Sequence, residues 1–117
     1  MTAAIYNATI DQGATYELQV IYKNEAGTPI NLTGYTAALQ VRQNYYDTTA
    51  LLTLTSPSGG IVINGAAGTI DITMSATQTG SLDEGFYVYD LEISSSGGNV
   101  IRLIQGQFTV SPEVTRV

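Results

Sequence analysis

The chain has no cysteine, no histidine and no tryptophan. Without cysteine there are no disulfides, no thiolate metal sites and no thiol nucleophile. Without histidine the commonest general base, the usual catalytic triads and most transition-metal sites are missing too. Positive charge is scarce: Lys23, Arg42, Arg102 and Arg116 are the 4 basic residues against 10 acidic ones, for a net charge of -6. Nucleic-acid binding needs clustered Lys and Arg to neutralise phosphates, and attachment to an anionic membrane needs the same. Four scattered cations meet neither need. Charged residues make up 12% of the chain, against about 25% in a typical soluble domain, so the polar surface is built from Thr, Ser, Asn, Gln and Gly. No apolar run approaches the ~20 residues of a membrane helix. Met1 to Asn7 lacks a basic stretch followed by an apolar core and does not read as a signal peptide, so synthesis in the cytoplasm is expected. The sequons Asn7-Ala8-Thr9 and Asn31-Leu32-Thr33 read as chance matches in a Thr-rich chain.

What is present is alternation. At 117 residues the chain has the length of one domain, able to bury roughly 65% of the surface its unfolded form exposes. Residues 1–117 read as a single sandwich with an N-terminal arm (1–7) and a C-terminal tail (111–117). Period-2 stretches recur between Gly-, Pro- and Asn-rich breaks at about 4–10, 15–23, 35–43, 50–55, 61–63, 69–74, 86–95 and 100–110. Asn64-Gly65-Ala66-Ala67-Gly68 joins two of them as a hairpin. Ser75 to Leu82 does not alternate: Ser75 caps a single helical turn and Leu82 drops into the core. In the last strand the alternation slips, with Ile101 and Leu103 in one register and Phe108 and Val110 in the other, and a bulge at Gly106 would reconcile them. The expected fold is an all-β, immunoglobulin-like antiparallel sandwich of about seven to eight strands with one short helical turn. A small closed barrel is the alternative.

The strongest strand signal is Asp83-Glu84-Gly85-Phe86-Tyr87-Val88-Tyr89-Asp90-Leu91-Glu92-Ile93. Tyr87, Tyr89, Leu91 and Ile93 share one face; Phe86, Val88, Asp90 and Glu92 share the other. The order Asp-x-Gly-x-Tyr-x-Tyr resembles the tyrosine corner of immunoglobulin-type sandwiches, with Tyr87 as the corner residue and Tyr89 where the strand's disulfide cysteine would stand. Asp83, Gly85, Tyr87, Tyr89 and Gly106 are therefore structural candidates.

Carboxylates are the remaining chemistry. Asp83, Glu84, Asp90 and Glu92, joined by Asp11 or Asp71, are candidates for a calcium site, but no loop carries a dense Asp/Asn/Gly ladder. A glycosidase pair needs two carboxylates across a cleft, which a sandwich of this size has little room for. No enzymatic activity, cofactor or metal is expected. Tyr45 and Tyr46, adjacent on a polar loop, suit stacking on a sugar or a partner chain. Tyr6, Tyr16, Tyr22, Tyr35 and Tyr87 lie in apolar register and read as core-edge packing with hydroxyls reaching water.

Across nearly its whole length the chain resembles a family of small β-sandwich proteins of tailed bacteriophages. The stretches that carry the likeness are Ile10-Asp11-Gln12-Gly13-Ala14-Thr15-Tyr16, Gly27-Thr28-Pro29-Ile30-Asn31-Leu32-Thr33-Gly34-Tyr35, Ala66-Ala67-Gly68-Thr69-Ile70, Gly85 to Ile93, and Gly106 to Arg116. The phrase Pro-Ile-Asn-Leu-Thr-Gly-Tyr is similar to the N-terminal docking domain of phage upper baseplate proteins. The resemblance implies a non-enzymatic virion structural protein, docked onto tail, baseplate or fibre proteins through sheet edge, loops and termini. A symmetric multi-copy assembly or homo-oligomer would multiply weak contacts by avidity. The expected interaction residues are Tyr6 in the arm, Tyr45 and Tyr46 in the loop, and Pro112, Glu113, Val114 and Arg116 in the tail. A capsid decoration protein is one alternative, and a carbohydrate-binding module reading host glycan through Tyr45 and Tyr46 is a second.

Overall fold

A computed structural model describes residues 3–115, and among them the chain forms nine strands and one short helix. The strands are β1 (Ala4–Ile5), β2 (Ala8–Asp11), β3 (Tyr16–Ile21), β4 (Thr36–Arg42), β5 (Leu52–Thr55), β6 (Ile61–Asn64), β7 (Thr69–Met74), β8 (Gly85–Ser94) and β9 (Val100–Ser111), with helix α1 (Ala76–Gly80) between β7 and β8. Two sheets result. The larger runs β1-β9-β8-β4-β5, with β2 also on β9; the smaller runs β3-β7-β6. This is the expected all-β, immunoglobulin-like sandwich, with one departure: β1 and β2 pair parallel with β9, whereas every other named pair is antiparallel.

The core follows from alternation. Ala37, Leu39 and Val41 of β4, Ile70, Ile72 and Met74 of β7, and Tyr87, Tyr89, Leu91 and Ile93 of β8 are buried, joined by Ile10, Leu54, Phe108 and Val110. Tyr16, Leu18 and Val20 of β3 pack against them half-buried. Ser75 caps α1: its Oγ accepts the Gln78 N–H at 3.1 Å and its own N–H donates to Gln78 Oε1 at 2.9 Å, a reciprocal capping box. Buried Thr79 donates its hydroxyl to the Ala14 carbonyl at 2.8 Å, and Leu82 enters the core behind it. The chain then turns at Asp83 into β8, where the Tyr87 hydroxyl donates to the Asp83 carbonyl. That is the bond of a tyrosine corner, so this hydroxyl does not reach water as the core-edge reading supposed.

Two details differ from the sequence reading. The first strand is broken between Ile5 and Ala8, and Tyr6, expected on the inner face with Ala8 and Ile10, is 45% exposed. The Asn7 side chain explains the break, because its Oδ1 takes the Gln107 N–H at 2.9 Å in place of a backbone carbonyl. The bulge is at Leu103 rather than Gly106: Leu91 pairs with Ile104 and Glu92 with Arg102, leaving Leu103 extra. Gly106 is in regular register with Tyr89. Its requirement is closeness, since a Cβ there would overlap the Tyr6 carbonyl oxygen and crowd Asn7 Oδ1.

The carbonyl freed by this kink is used. Buried Tyr89 donates its hydroxyl to the Tyr6 carbonyl, and its ring meets Phe108 edge-on, with centroids 6.1 Å apart. The Tyr16 hydroxyl lies close enough to Tyr6 to feel it. Burial, then the neighbouring Tyr6, pushes the Tyr16 hydroxyl from an ordinary 10.0 up to about 12. Burial, then Tyr16 and Tyr6, raises Tyr89 as well.

These tyrosines hold their protons in the folded state to higher pH than in the unfolded chain. Their contribution is complete below the ordinary tyrosine pKa of 10.0 and is lost as pH rises toward about 12, where the unfolded chain binds fewer protons than the native one. The melting temperature is expected to fall steeply above pH 10 for this reason. Tyr89→Phe, costing about 1 kcal/mol at pH 7 for the lost hydrogen bond, makes that fall shallower; an unchanged alkaline limb in thermal melts would contradict the assignment. Gly106→Ala is expected to destabilise by roughly 1–3 kcal/mol in urea melts, the usual range for inserting a methyl into closed packing.

Candidate functional site

Alternation along β4 and β8 turns Gln40, Arg42, Val88 and Asp90 outward from the larger sheet. On β9 the bulge decides what joins them. In a regular strand, residues three apart face opposite ways. Here Leu103 and Ile104 are buried in succession, so Arg102 before them and Gln105 after them emerge on the same outer face. Arg102 donates through a terminal nitrogen to Gln105 Oε1 at 3.1 Å, and its Nε lies 3.3 Å from Asp90 Oδ2. Gln40, Asp90 and Gln105 are direct cross-strand partners, forming one polar row over three strands.

Arg42 closes the other side. Its two terminal nitrogens donate to the Asp47 carbonyl and to Gln40 Oε1, both at 2.6 Å. Asp47 in turn closes the loop, donating its N–H to the Asn44 carbonyl and accepting the Asn44 N–H, each at 3.2 Å. Arg42 therefore ties the tip carrying Tyr45 and Tyr46 to the sheet. The result is a groove of about 280 Å³, lined by the polar row of Gln40, Asp90 and Gln105, by Val88 in the next row beside Arg42, by Arg102 and by Tyr45. Half of the chain's 4 basic residues meet here. The Arg102–Asp90 pair is solvent-exposed on both sides and contributes at most ~1 kcal/mol; its effect is to orient the guanidinium.

The other expected site residues fall elsewhere. Tyr45 and Tyr46 are both exposed, at 73% and 87%; Tyr45 lines the groove and Tyr46 does not. Tyr6 belongs to the tyrosine cluster. The tail begins against the body: the Glu113 N–H donates to Gln12 Oε1 at 3.1 Å, and Gln12 Nε2 donates to the Leu82 carbonyl at 2.8 Å. Pro112 and Val114 are exposed, and Arg116 lies outside the described residues. Asp83, Gly85 and Tyr87 form the corner at the start of β8. The carboxylates do not assemble: among the described residues no group of three or more His, Cys, Asp or Glu is placed to hold a metal. Asp90 faces Arg102 and Asp71 accepts the Gln19 amide at 2.8 Å, so the calcium constellation is not formed.

Of the groove residues, sequence pointed to Asp90 only as a calcium candidate and to Tyr45 for stacking; Gln40, Arg42, Val88, Arg102 and Gln105 carried no such sign. The available signal was that two of four cations occupy outward strand positions. The union of Arg102 with Gln105 carried no signal, because it depends on where the bulge falls.

No protein-family model and no curated protein sequence matches the chain. Among solved structures, the PmoD soluble domain from Methylocystis sp. ATCC 49242 (Rockwell) is similar at a TM-score of 0.51 and 13% identity, covering 91% of this chain and 79% of that one. CopC from Methylosinus trichosporium OB3b aligns at a TM-score of 0.48 and 13% identity, covering 95% and 91%. At this identity the likeness is one of fold.

No family model or curated protein supports the expected phage family, and the PmoD soluble domain, which shares the fold, is not a phage protein; the expectation of a phage protein is corrected accordingly. The expected virion location, the tail, baseplate, fibre or capsid position, the phage partners, the multi-copy assembly and the glycan-module alternative fall with it. The physical reason lies in the residues that bore the resemblance. Gly13, Gly27, Gly34, Gly68 and Gly85 all have positive φ, and Leu32, Ile70, Leu91 and Phe108 are core. Such positions are demanded by the turns and interior of a sandwich and report the scaffold alone.

Arg42→Ala is expected to loosen the loop without unfolding the domain. Its stability falls by ~1 kcal/mol or less, while amide hydrogen exchange at 44–47 accelerates; unchanged exchange there would remove Arg42 from its tethering role.

Proposed function

We propose that residues 1–117 act as a single, non-enzymatic recognition domain that binds one small polar ligand in the groove on the outer face of the larger sheet. The observation that carries the reading is the convergence of Arg42 and Arg102 with Gln40, Gln105 and Asp90 over Val88, in a chain otherwise poor in charge. Recognition sites combine an apolar floor with a few fixed polar groups, and each polar group here is already held by a neighbour. Asp90 is the one carboxylate lining the groove and is engaged by Arg102, so no acid–base pair is available for catalysis there. The volume of about 280 Å³ lies near the lower end of the ~300–1,000 Å³ of ligand pockets, which suits a small molecule better than a polymer.

Two other depressions support binding less well. One, of about 540 Å³, lies over Glu17, Gln19, Asp71 and Thr73 on the smaller sheet; it has no cation and no aromatic rim. The other, of about 380 Å³, is an apolar seam between Val20, Ile21, Leu103 and Ile104 with Ala4 and Lys23 beside it, and it lacks converging polar groups.

The reading is tested by titrating the ¹⁵N-labelled chain with a mixed library of neutral and charged fragments. Shifts are expected to concentrate at the side-chain amides of Gln40 and Gln105 and the backbone of Val88–Asp90, and to vanish in Val88→Trp, which fills the groove floor without altering charge. Shifts scattered over the surface, or unaffected by Val88→Trp, would defeat it.

A further inference from the structure

Resting on that reading, we propose that the ligand bound in the groove carries a carboxylate. The argument is a count of donors and acceptors. A guanidinium has five N–H donors and no acceptor. Arg42 spends two on the Asp47 carbonyl and Gln40 Oε1. Arg102 directs Nε at Asp90 and one terminal N–H at Gln105 Oε1. Three donors remain on each arginine.

The acceptors of the groove are fewer and partly engaged. Both glutamine oxygens face guanidinium groups, which turns their NH2 groups away as further donors. Asp90 Oδ2 faces Arg102, so the acceptor capacity left is one lone pair on each glutamine oxygen, what remains on Asp90 and the Tyr45 hydroxyl at the rim, fewer than the six guanidinium and four amide N–H donors. The groove is thus rich in donors and poor in acceptors, and its complement is a cluster of acceptors. A carboxylate supplies two oxygens in the plane and spacing of a guanidinium fork.

Charge favours a carboxylate over a multiply charged anion. The chain carries a net charge of -6, and each added negative charge on a ligand works against that field within the Debye length of about 8 Å at physiological salt. A single negative charge meets two arginines at the cost of one nearby aspartate. The rest of the ligand is set by what is not charged: Val88 on the floor and the Tyr45 ring at the rim suit a flat or apolar body.

The test uses the full chain in ¹⁵N-detected titrations at pH 7, with benzoate as probe, benzamide as its neutral counterpart and inorganic phosphate, a mixture of singly and doubly charged ions at that pH, as the second oxyanion. Benzoate is expected to saturate the groove resonances and to bind about tenfold tighter than benzamide, the ratio that one charge-assisted hydrogen-bonded contact supports. Arg42→Gln and Arg102→Gln each shrink that preference, whereas Lys23→Gln, which removes a cation outside the groove, leaves benzoate binding unchanged. Equal affinity for benzoate and benzamide overturns the carboxylate while leaving the groove reading intact. Phosphate binding as tightly as benzoate overturns it in favour of a general oxyanion site. Benzoate failing to bind while other fragments still map to the groove also overturns it. Absence of any groove-directed shift from the whole library defeats the groove reading itself.

Discussion

The hydrogen bond from the Tyr89 hydroxyl to the Tyr6 carbonyl is the constraint on which the rest of the sandwich depends. In antibody-type domains the strand bearing the tyrosine corner is fastened to the opposite sheet by a disulfide. Here no cysteine exists and a tyrosine stands at that position. Its ring fills the interior against Phe108, and its hydroxyl reaches the kink between β1 and β2. That kink exists because Asn7 replaces a backbone group in the ladder and because Gly106 lets the chain approach β9. Tyr16 brings the smaller sheet into the same cluster through Tyr6. The bond fastens the β1–β2 kink to β8 within the larger sheet, and its weakness is alkaline pH, since burial holds the Tyr89 hydroxyl in the protonated form.

The outer face of the same sheet is organised by one irregularity. The extra residue at Leu103 buries two neighbours in succession and reverses the phase of β9. That reversal sets Arg102 beside Asp90 and Gln105, while Arg42 pins the Tyr45 loop from the far side. Inner and outer faces are therefore linked on β9: the segment that presents Gly106 to the Tyr6 kink also presents Gln105 to the groove. The groups around the groove hold one another, so little side-chain entropy is left for a ligand to pay.

Much of the scaffold was legible in advance. The β4, β7 and β8 alternations identified their buried faces, Ser75 with Gln78 marked the one helix, and Asp83 through Tyr87 announced the corner. These are local signals, carried by residues within a few positions of one another. The bulge position was misread because two buried residues in succession, Leu103 and Ile104, look from sequence like either register, and Gly106 offered a more familiar place for the slip. The phage resemblance failed for a related reason. It rested on turn glycines and core aliphatics, which any sandwich with the same turns requires.

The sequence by itself determined the all-β class, the strand faces, the capped helical turn and the absence of thiol and imidazole chemistry, because each follows from residue type or from a period of two. Only the tertiary structure decided that β1 and β2 run parallel to β9, that Leu103 is the extra residue, and that Arg42, Asp90, Arg102 and Gln105 surround one groove. Those outcomes depend on which residue pairs with which across strands far apart in the chain. A shift of one position there exchanges inside for outside, and nothing in the local pattern of a single strand specifies it.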